Sequence, residues 1–227
     1  MVLLGGNAAR PVTLEEAIRS HDLQRAGAPP SRAKGVVLLI HGRGATAESM
    51  LPLADVIAMP DLCYVAPQAE DYEWYPQSFM APTQSNEPYV SAALARIAAI
   101  IADILSAGIA PEKLGVIGFS QGACLASETV LRNPRPYGFV GVLSGGAIGP
   151  PGTPRDYAGT LGGARVFLGC SDLDPHIPLE RVKETAAVFT RMGASVSERI
   201  YPGRSHGIND DEIAHVRAGL LALTGPA

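Results

Sequence analysis

The chain has 227 residues, 47% of them hydrophobic and 18% charged, which suits one folded domain spanning 1–227 and excludes a disordered chain. A net charge of −4 excludes broad electrostatic attachment to nucleic acid or to an anionic membrane surface. Cys63, Cys124 and Cys170 are too few and too scattered for a disulfide framework or a zinc cluster. Each falls in or beside an apolar run, as buried reduced thiols do.

In chain order, the opening Met1-Val2-Leu3-Leu4-Gly5-Gly6-Asn7 lacks the basic start and longer apolar stretch of a secretory leader. No uninterrupted apolar run reaches the ~20 residues a membrane span requires, so a cytoplasmic protein is expected. Residues 1–35 form a weakly patterned lead-in with no assigned element. VVLLI at 36–40 is a continuous aliphatic run of the kind that forms a strand buried on both faces. LCYVA at 62–66, LGVIGF at 114–119, FVGVLSG at 139–145 and RVFLGC at 165–170 repeat it, and SVSERIY at 195–201 alternates as a strand. Between them, apolar Val90, Leu94, Ile97, Ile101 and Ile104 predict a helix over 89–107 stopped by Gly108. Leu179, Val182, Ala186 and Phe189 predict another over 179–192, and Asn209 to Glu212 has the form of a capping box opening the last helix. Strands alternating with helices imply a mainly parallel sheet covered on both faces. The proline- and glycine-rich stretch 149–163 reads as a loop inside the domain, and no long helical insertion follows 139–145 to make a lid domain.

The run VIGFSQGACLA at 116–126 places Ser120 where a buried strand turns at once into a helix, with Gly118 and Gly122 as the small neighbours such a strained turn requires. A serine hydroxyl becomes a useful nucleophile when an oriented imidazole takes its proton. Of five histidines, His21 lies in the lead-in, His41 directly follows the first strong strand, and His176 belongs to the loop after 165–170. His215 sits inside the last helix, where a solvated surface role is expected. His206, in YPGRSHGIND between the last strand and last helix, has the position of the base. The orienting acid is expected in SDLDPHIP at 171–178, where Asp172 and Asp174 both qualify on residue type alone; either completes the order Ser, Asp, His of the α/β-hydrolase fold. A developing oxyanion needs donors already aimed at it. The backbone N–H of Gln121, which starts the helix, and that of Arg43, in the glycine-containing loop HGRGAT at 41–46, meet this need.

LLIHGRGATAES, IGFSQGACLA, GCSDLDPHIPLERV and YPGRSHGIND together resemble the phospholipase/carboxylesterase branch of the α/β-hydrolases, from about residue 36 to the C-terminus. That branch includes bacterial carboxylesterases and acyl-protein thioesterases. The resemblance implies the α/β-hydrolase fold and a triad of Ser120, Asp174 and His206. Asp174-Pro175-His176-Ile177-Pro178 reproduces the family's acid, its following proline and the second proline without a gap. The same resemblance puts oxyanion donors at Gln121 and Arg43. Ser171 departs from it, standing where members commonly carry glycine, and the N-terminal strands look incomplete, so a trimmed sheet of roughly seven strands is expected.

The resulting expectation is a serine carboxylesterase acting on small-molecule esters with small to medium acyl groups, without metal or other cofactor. Trp74, Tyr75 and Phe79, in the aromatic loop 66–82, are expected either to wall the acyl pocket beside Ser120 or simply to pack that loop against the body. An acyl thioesterase or a lysophospholipase would use the same triad. A non-catalytic relative would merely bind a small molecule. A dienelactone hydrolase is disfavoured by serine at the elbow, because Cys124 lies one helical turn too late and reads as helix-to-sheet packing.

Overall fold

In the computed structural model, which describes residues 12–225, seven strands form one sheet. They are β1 (Gln24–Gly27), β2 (Gly35–Ile40), β3 (Leu62–Ala66), β4 (Leu114–Phe119), β5 (Phe139–Leu143), β6 (Arg165–Ser171) and β7 (Ser195–Tyr201). The order across the sheet is β1-β3-β2-β4-β5-β6-β7, and every pairing is parallel except β1 with β3. Seven helices connect and cover them: α1 (Leu14–Ser20), α2 (Ala47–Met50), α3 (Pro52–Ile57), α4 (Tyr89–Ser106), α5 (Gln121–Arg132), α6 (Leu179–Arg191) and α7 (Asp210–Thr224).

The uninterrupted apolar runs follow from this layering. In β2, Val36, Leu38 and Ile40 face a core built with α1, α4, α5 and α6, whereas Val37 and Leu39 face a second core built with α2, α3 and α7. A strand with helices on both faces has no side on which polar residues are cheaper, so alternation disappears. Helix α4 is long and apolar enough in composition to cross a membrane, but its stripe of Val90, Leu94, Ile97, Ile101 and Ile104 lies in the first core.

The lead-in is more structured than its pattern suggests. Thr13 and Glu16 form a reciprocal capping box at the start of α1. Strand β1 has only four residues with alternating half-burial; antiparallel pairing to β3 makes it a strand, not its own sequence. The stretch Met1 to Asn7, considered for a leader, lies outside the described residues. Between β5 and β6 the described chain has no helix or strand, consistent with the expected loop and the absence of a lid there.

Candidate active site

The turn from β4 into α5 holds Ser120 at φ +55° and ψ −120°, a conformation of order 1–3 kcal/mol above relaxed backbone for a non-glycine residue. Its surroundings enforce it. Ser120 N–H donates to the Leu143 carbonyl at 2.9 Å, tying the turn to β5. A Cβ on Gly118 would stand 2.2 Å from the Gly122 carbonyl oxygen, and one on Gly122 would stand 2.1 Å from that of Ile40. Both positions therefore exclude any side chain, and the serine is pushed out beyond the sheet's carboxyl edge.

The loops following β6 and β7 meet there. Asp174 comes from the first and His206 from the second. The His206 Nδ1 to Asp174 Oδ2 distance is 2.6 Å, and the Nε2 to Ser120 Oγ distance is 2.9 Å. The Asp174 carboxylate is enclosed, with no exposed side-chain surface. Burial alone pushes that carboxyl up. The hydrogen bond from His206, the backbone N–H groups of His176 and Ile177, and the nearby imidazole more than offset it, so the group is held below the usual carboxylate range. An ionised Asp174 accepts the Nδ1–H of His206, which leaves Nε2 to accept from the Ser120 hydroxyl. The imidazole is packed between the Phe119 ring and the edge of His176, each with centroids 5.0 Å away.

Asp172 is not in this line. It is exposed, and its Oδ1 accepts the Gly203 N–H at 2.8 Å, shaping the turn that leads to His206. Ser171 has a related role. Its hydroxyl donates to the Arg204 carbonyl at 2.7 Å and accepts the Leu173 N–H at 3.1 Å, joining the Asp174 loop to the His206 loop.

On the other side of Ser120, the loop after β2 lies so close that a Cβ on Gly42 would be 3.2 Å from that of Ser120. Arg43 and Gln121 both border the cavity at Ser120, and the N–H of Gln121 heads α5, where the first N–H groups have no intrahelical acceptor. Burial lowers the pKa of His41, and this imidazole braces the same loop. Its Nδ1 donates to the Gly42 carbonyl at 2.8 Å, its Nε2 accepts the Ala69 N–H at 3.0 Å, and its ring packs against Trp74.

The cavity holds about 460 Å³, with Tyr75, Phe79, Phe119 and Ile177 among its walls. Trp74 is not on it. Its indole donates to the His41 carbonyl at 2.9 Å and supports the wall from behind. Cys124 borders the cavity as well as packing in the core. All three cysteines are buried free thiols, and burial pushes Cys124 up to about 12. His21 bridges α1 to Asp103 of α4 at 2.8 Å. His215, expected to be solvated, instead stacks on Phe167 with centroids 4.8 Å apart, because the second core extends under α7. Among the described residues, no three His, Cys, Asp or Glu side chains are grouped as a metal ion would require.

Sequence reading did not foresee two side chains that matter here. The Arg43 guanidinium turns to the loop after β3, where it meets the Tyr75, Pro76 and Gln77 carbonyls and the Glu73 carboxylate. The Gln121 amide grips the same loop, accepting the Trp74 N–H at 2.9 Å and donating to the Tyr75 carbonyl at 2.7 Å. The only signal for either was proximity in sequence to HGRG and to Ser120.

Comparison with known proteins agrees with this architecture. A model of the phospholipase/carboxylesterase family matches residues 22–222. The crystal structure of a phospholipase/carboxylesterase from Dyadobacter fermentans is 41% identical, covers 88% of this chain and 95% of its own, and superposes with a TM-score of 0.84. Acyl-protein thioesterase 1 of Saccharomyces cerevisiae is 30% identical over 109 residues, 47% of this chain and 48% of that protein. A probable carboxylesterase SOBER1-like of Arabidopsis thaliana is 24% identical over 140 residues, 62% of this chain and 53% of that protein. The chain thus spans about half the length of the curated relatives it matches.

Proposed function

The chain belongs to the phospholipase/carboxylesterase family, and from that premise we propose that it is a serine carboxylesterase with Ser120 as nucleophile, His206 as general base and Asp174 as the group that orients and balances His206. The observation that carries this reading is the unbroken line Asp174, His206, Ser120, at 2.6 and 2.9 Å. Ser120 Oγ attacks the ester carbonyl carbon while His206 Nε2 takes the hydroxyl proton. The carbonyl's electron pair moves to oxygen, where the Gln121 and Arg43 N–H groups receive it; one such donor is worth about 10²–10³ in kcat. Collapse of the tetrahedral intermediate expels the alcohol, protonated by His206, and leaves an acyl group on Ser120. Water then repeats the attack with His206 again as base, releasing the carboxylic acid and restoring the serine.

A cavity of about 460 Å³ is toward the small end of ligand sites, about 300–1,000 Å³, and favours small to medium acyl groups. The similarity to the yeast acyl-protein thioesterase supports a second reading, in which a thiol leaves in place of an alcohol. A fluorophosphonate probe tests the mechanism: peptide mapping is expected to place one adduct on Ser120, with ester hydrolysis lost in proportion to labelling. Full hydrolysis by labelled protein would overturn the reading. Matched oxygen and sulfur esters of butyrate then rank the two leaving groups.

A further inference from the structure

A second cavity of about 460 Å³ lies behind the wall of the first, between the loop after β3 and α4, with Trp74, Tyr89, Ala92 and Arg96 on its sides. Tyr75 and Pro76 border both cavities. The partition between them is thus a single stretch of chain. That stretch is neither helix nor strand, so its carbonyls find no ladder to join. They are satisfied largely by one side chain. The Arg43 guanidinium donates to Tyr75, Pro76 and Gln77 at 2.7, 3.0 and 2.9 Å and also meets Glu73. Gln121 adds the bonds to Trp74 and Tyr75, and Asn86 accepts the Gln77 N–H at 2.8 Å.

We propose that the Arg43 side chain latches the Tyr75–Pro76 partition between two adjoining cavities and so sets the upper length of acyl group that the Ser120 site takes. In this role Arg43 is a positioning residue. A planar fork with five N–H donors can serve three successive carbonyls and a carboxylate together; no other side chain can. Without it, the Pro76 and Gln77 carbonyls lose their donors and the Tyr75 carbonyl keeps only the bond from Gln121. Although the Tyr75 ring stays buried in the core, the backbone of the partition can then yield to a longer chain. The inference rests on the esterase reading above.

The test is kcat/KM for p-nitrophenyl esters from acetate to dodecanoate. In the wild type, each methylene that finds wall surface is expected to add up to about fourfold, with a sharp end to the gain where the partition stands. Arg43→Leu keeps the main-chain N–H and removes the fork. The ratio of dodecanoate to butyrate is expected to rise by about tenfold or more, the equivalent of two further buried methylenes. Because both esters are read in one variant, any general loss at the oxyanion site cancels. Arg43→Lys, with a point charge instead of a fork, should not restore the wild-type cutoff. Ala92→Phe fills the second cavity from exposed α4 surface; it should leave the wild-type profile unchanged and reverse the extension when combined with Arg43→Leu. Pro76→Gly loosens the partition from within and should shift the ratio in the same direction, which keeps the test valid if Arg43→Leu does not fold. A ratio unchanged in Arg43→Leu or, failing that variant, in Pro76→Gly, or an extension that Ala92→Phe does not reverse, would overturn the proposal. Hydrolysis that survives Ser120→Ala would instead remove the esterase reading beneath it.

Discussion

Replacing Asp174 with asparagine preserves shape, removes the negative charge and turns one hydrogen-bond acceptor into a donor. One oxygen of Asp174 accepts two backbone N–H groups, from His176 at 2.9 Å and Ile177 at 3.1 Å; the other accepts from His206 at 2.6 Å. An asparagine must place its NH₂ at one of these positions. Set against the backbone pair, it would leave two donors facing a donor, each costing about 1–3 kcal/mol. Set against His206 it opposes one N–H and the weak Cys170 thiol at 3.8 Å; the thiol can rotate away, and the imidazole can move its proton to Nε2. That orientation is therefore selected, and it is the wrong one for catalysis: Nε2–H then points at Ser120 Oγ and cannot take its proton. The lost base and the lost partner for the imidazolium together predict a fall in kcat/KM of about 10⁴, or about 5.5 kcal/mol in the barrier. Hydrolysis of p-nitrophenyl butyrate, with thermal melts to establish folding, measures it. Asp172→Asn is the companion variant; an amide oxygen can still accept the Gly203 N–H, so a change of no more than a few-fold is expected. A folded Asp174→Asn protein within tenfold of wild type, or an Asp172→Asn protein more impaired than it, would refute the reasoning.

Gly122→Ala should abolish folding or cost several kcal/mol, since its Cβ would meet the Ile40 and His41 carbonyl oxygens at 2.1 and 2.5 Å, whereas Gly207→Ala meets nothing within 4 Å and should leave the melt unchanged. Chemical denaturation of both variants decides this. Burial pushes the Glu212 carboxyl up to about 7, so the folded chain keeps a proton that the unfolded chain releases from about 4.5 upward. Its contribution to stability therefore falls as pH rises from about 4.5 through 7, opposite to an ion-paired carboxylate, and Glu212→Gln should be more stable than wild type at pH 8 by up to about 3 kcal/mol with little difference at pH 4. Urea midpoints showing the variant weaker at pH 8 would contradict this. Cys63, Cys124 and Cys170, pushed up to about 11, 12 and 12 by burial, should resist iodoacetamide at pH 8 until the chain is unfolded, as intact mass before and after guanidinium will show.

Six of the seven strands were legible because helices on both faces leave a plain apolar run, and α4, α6 and the start of α7 followed from periodicity and capping residues. Strand β1 was not, since QRAG acquires its conformation from pairing with β3. Helix α1 is only partly legible: Thr13 and Glu16 have the capping-box spacing, but the apolar stripe behind them is short. At the site, residue types alone left Asp172 and Asp174 equivalent; the difference lies in which carboxylate is enclosed and reached by His206. Of the two places open to Trp74, cavity wall or packing behind the loop, the structure has the second, since a sequence shows that a loop is aromatic but not which ring turns inward. The grip of Arg43 was illegible for a related reason. Its acceptors are main-chain carbonyls some thirty residues away, and every residue has one.

His206 rides on the loop leaving β7, and β7 is an edge strand held to the sheet by β6 alone. Edge elements open at lower free-energy cost than the middle of a sheet. Ser120, by contrast, sits at the end of β4, flanked on both sides by paired strands. In the proposed reaction the proton-transferring imidazole is thus carried at a border of the sheet, while the attacking oxygen is rooted at its centre. Mild denaturant should silence turnover while most of the sheet is still intact, and catalysis becomes a local gauge of whether β7 is docked.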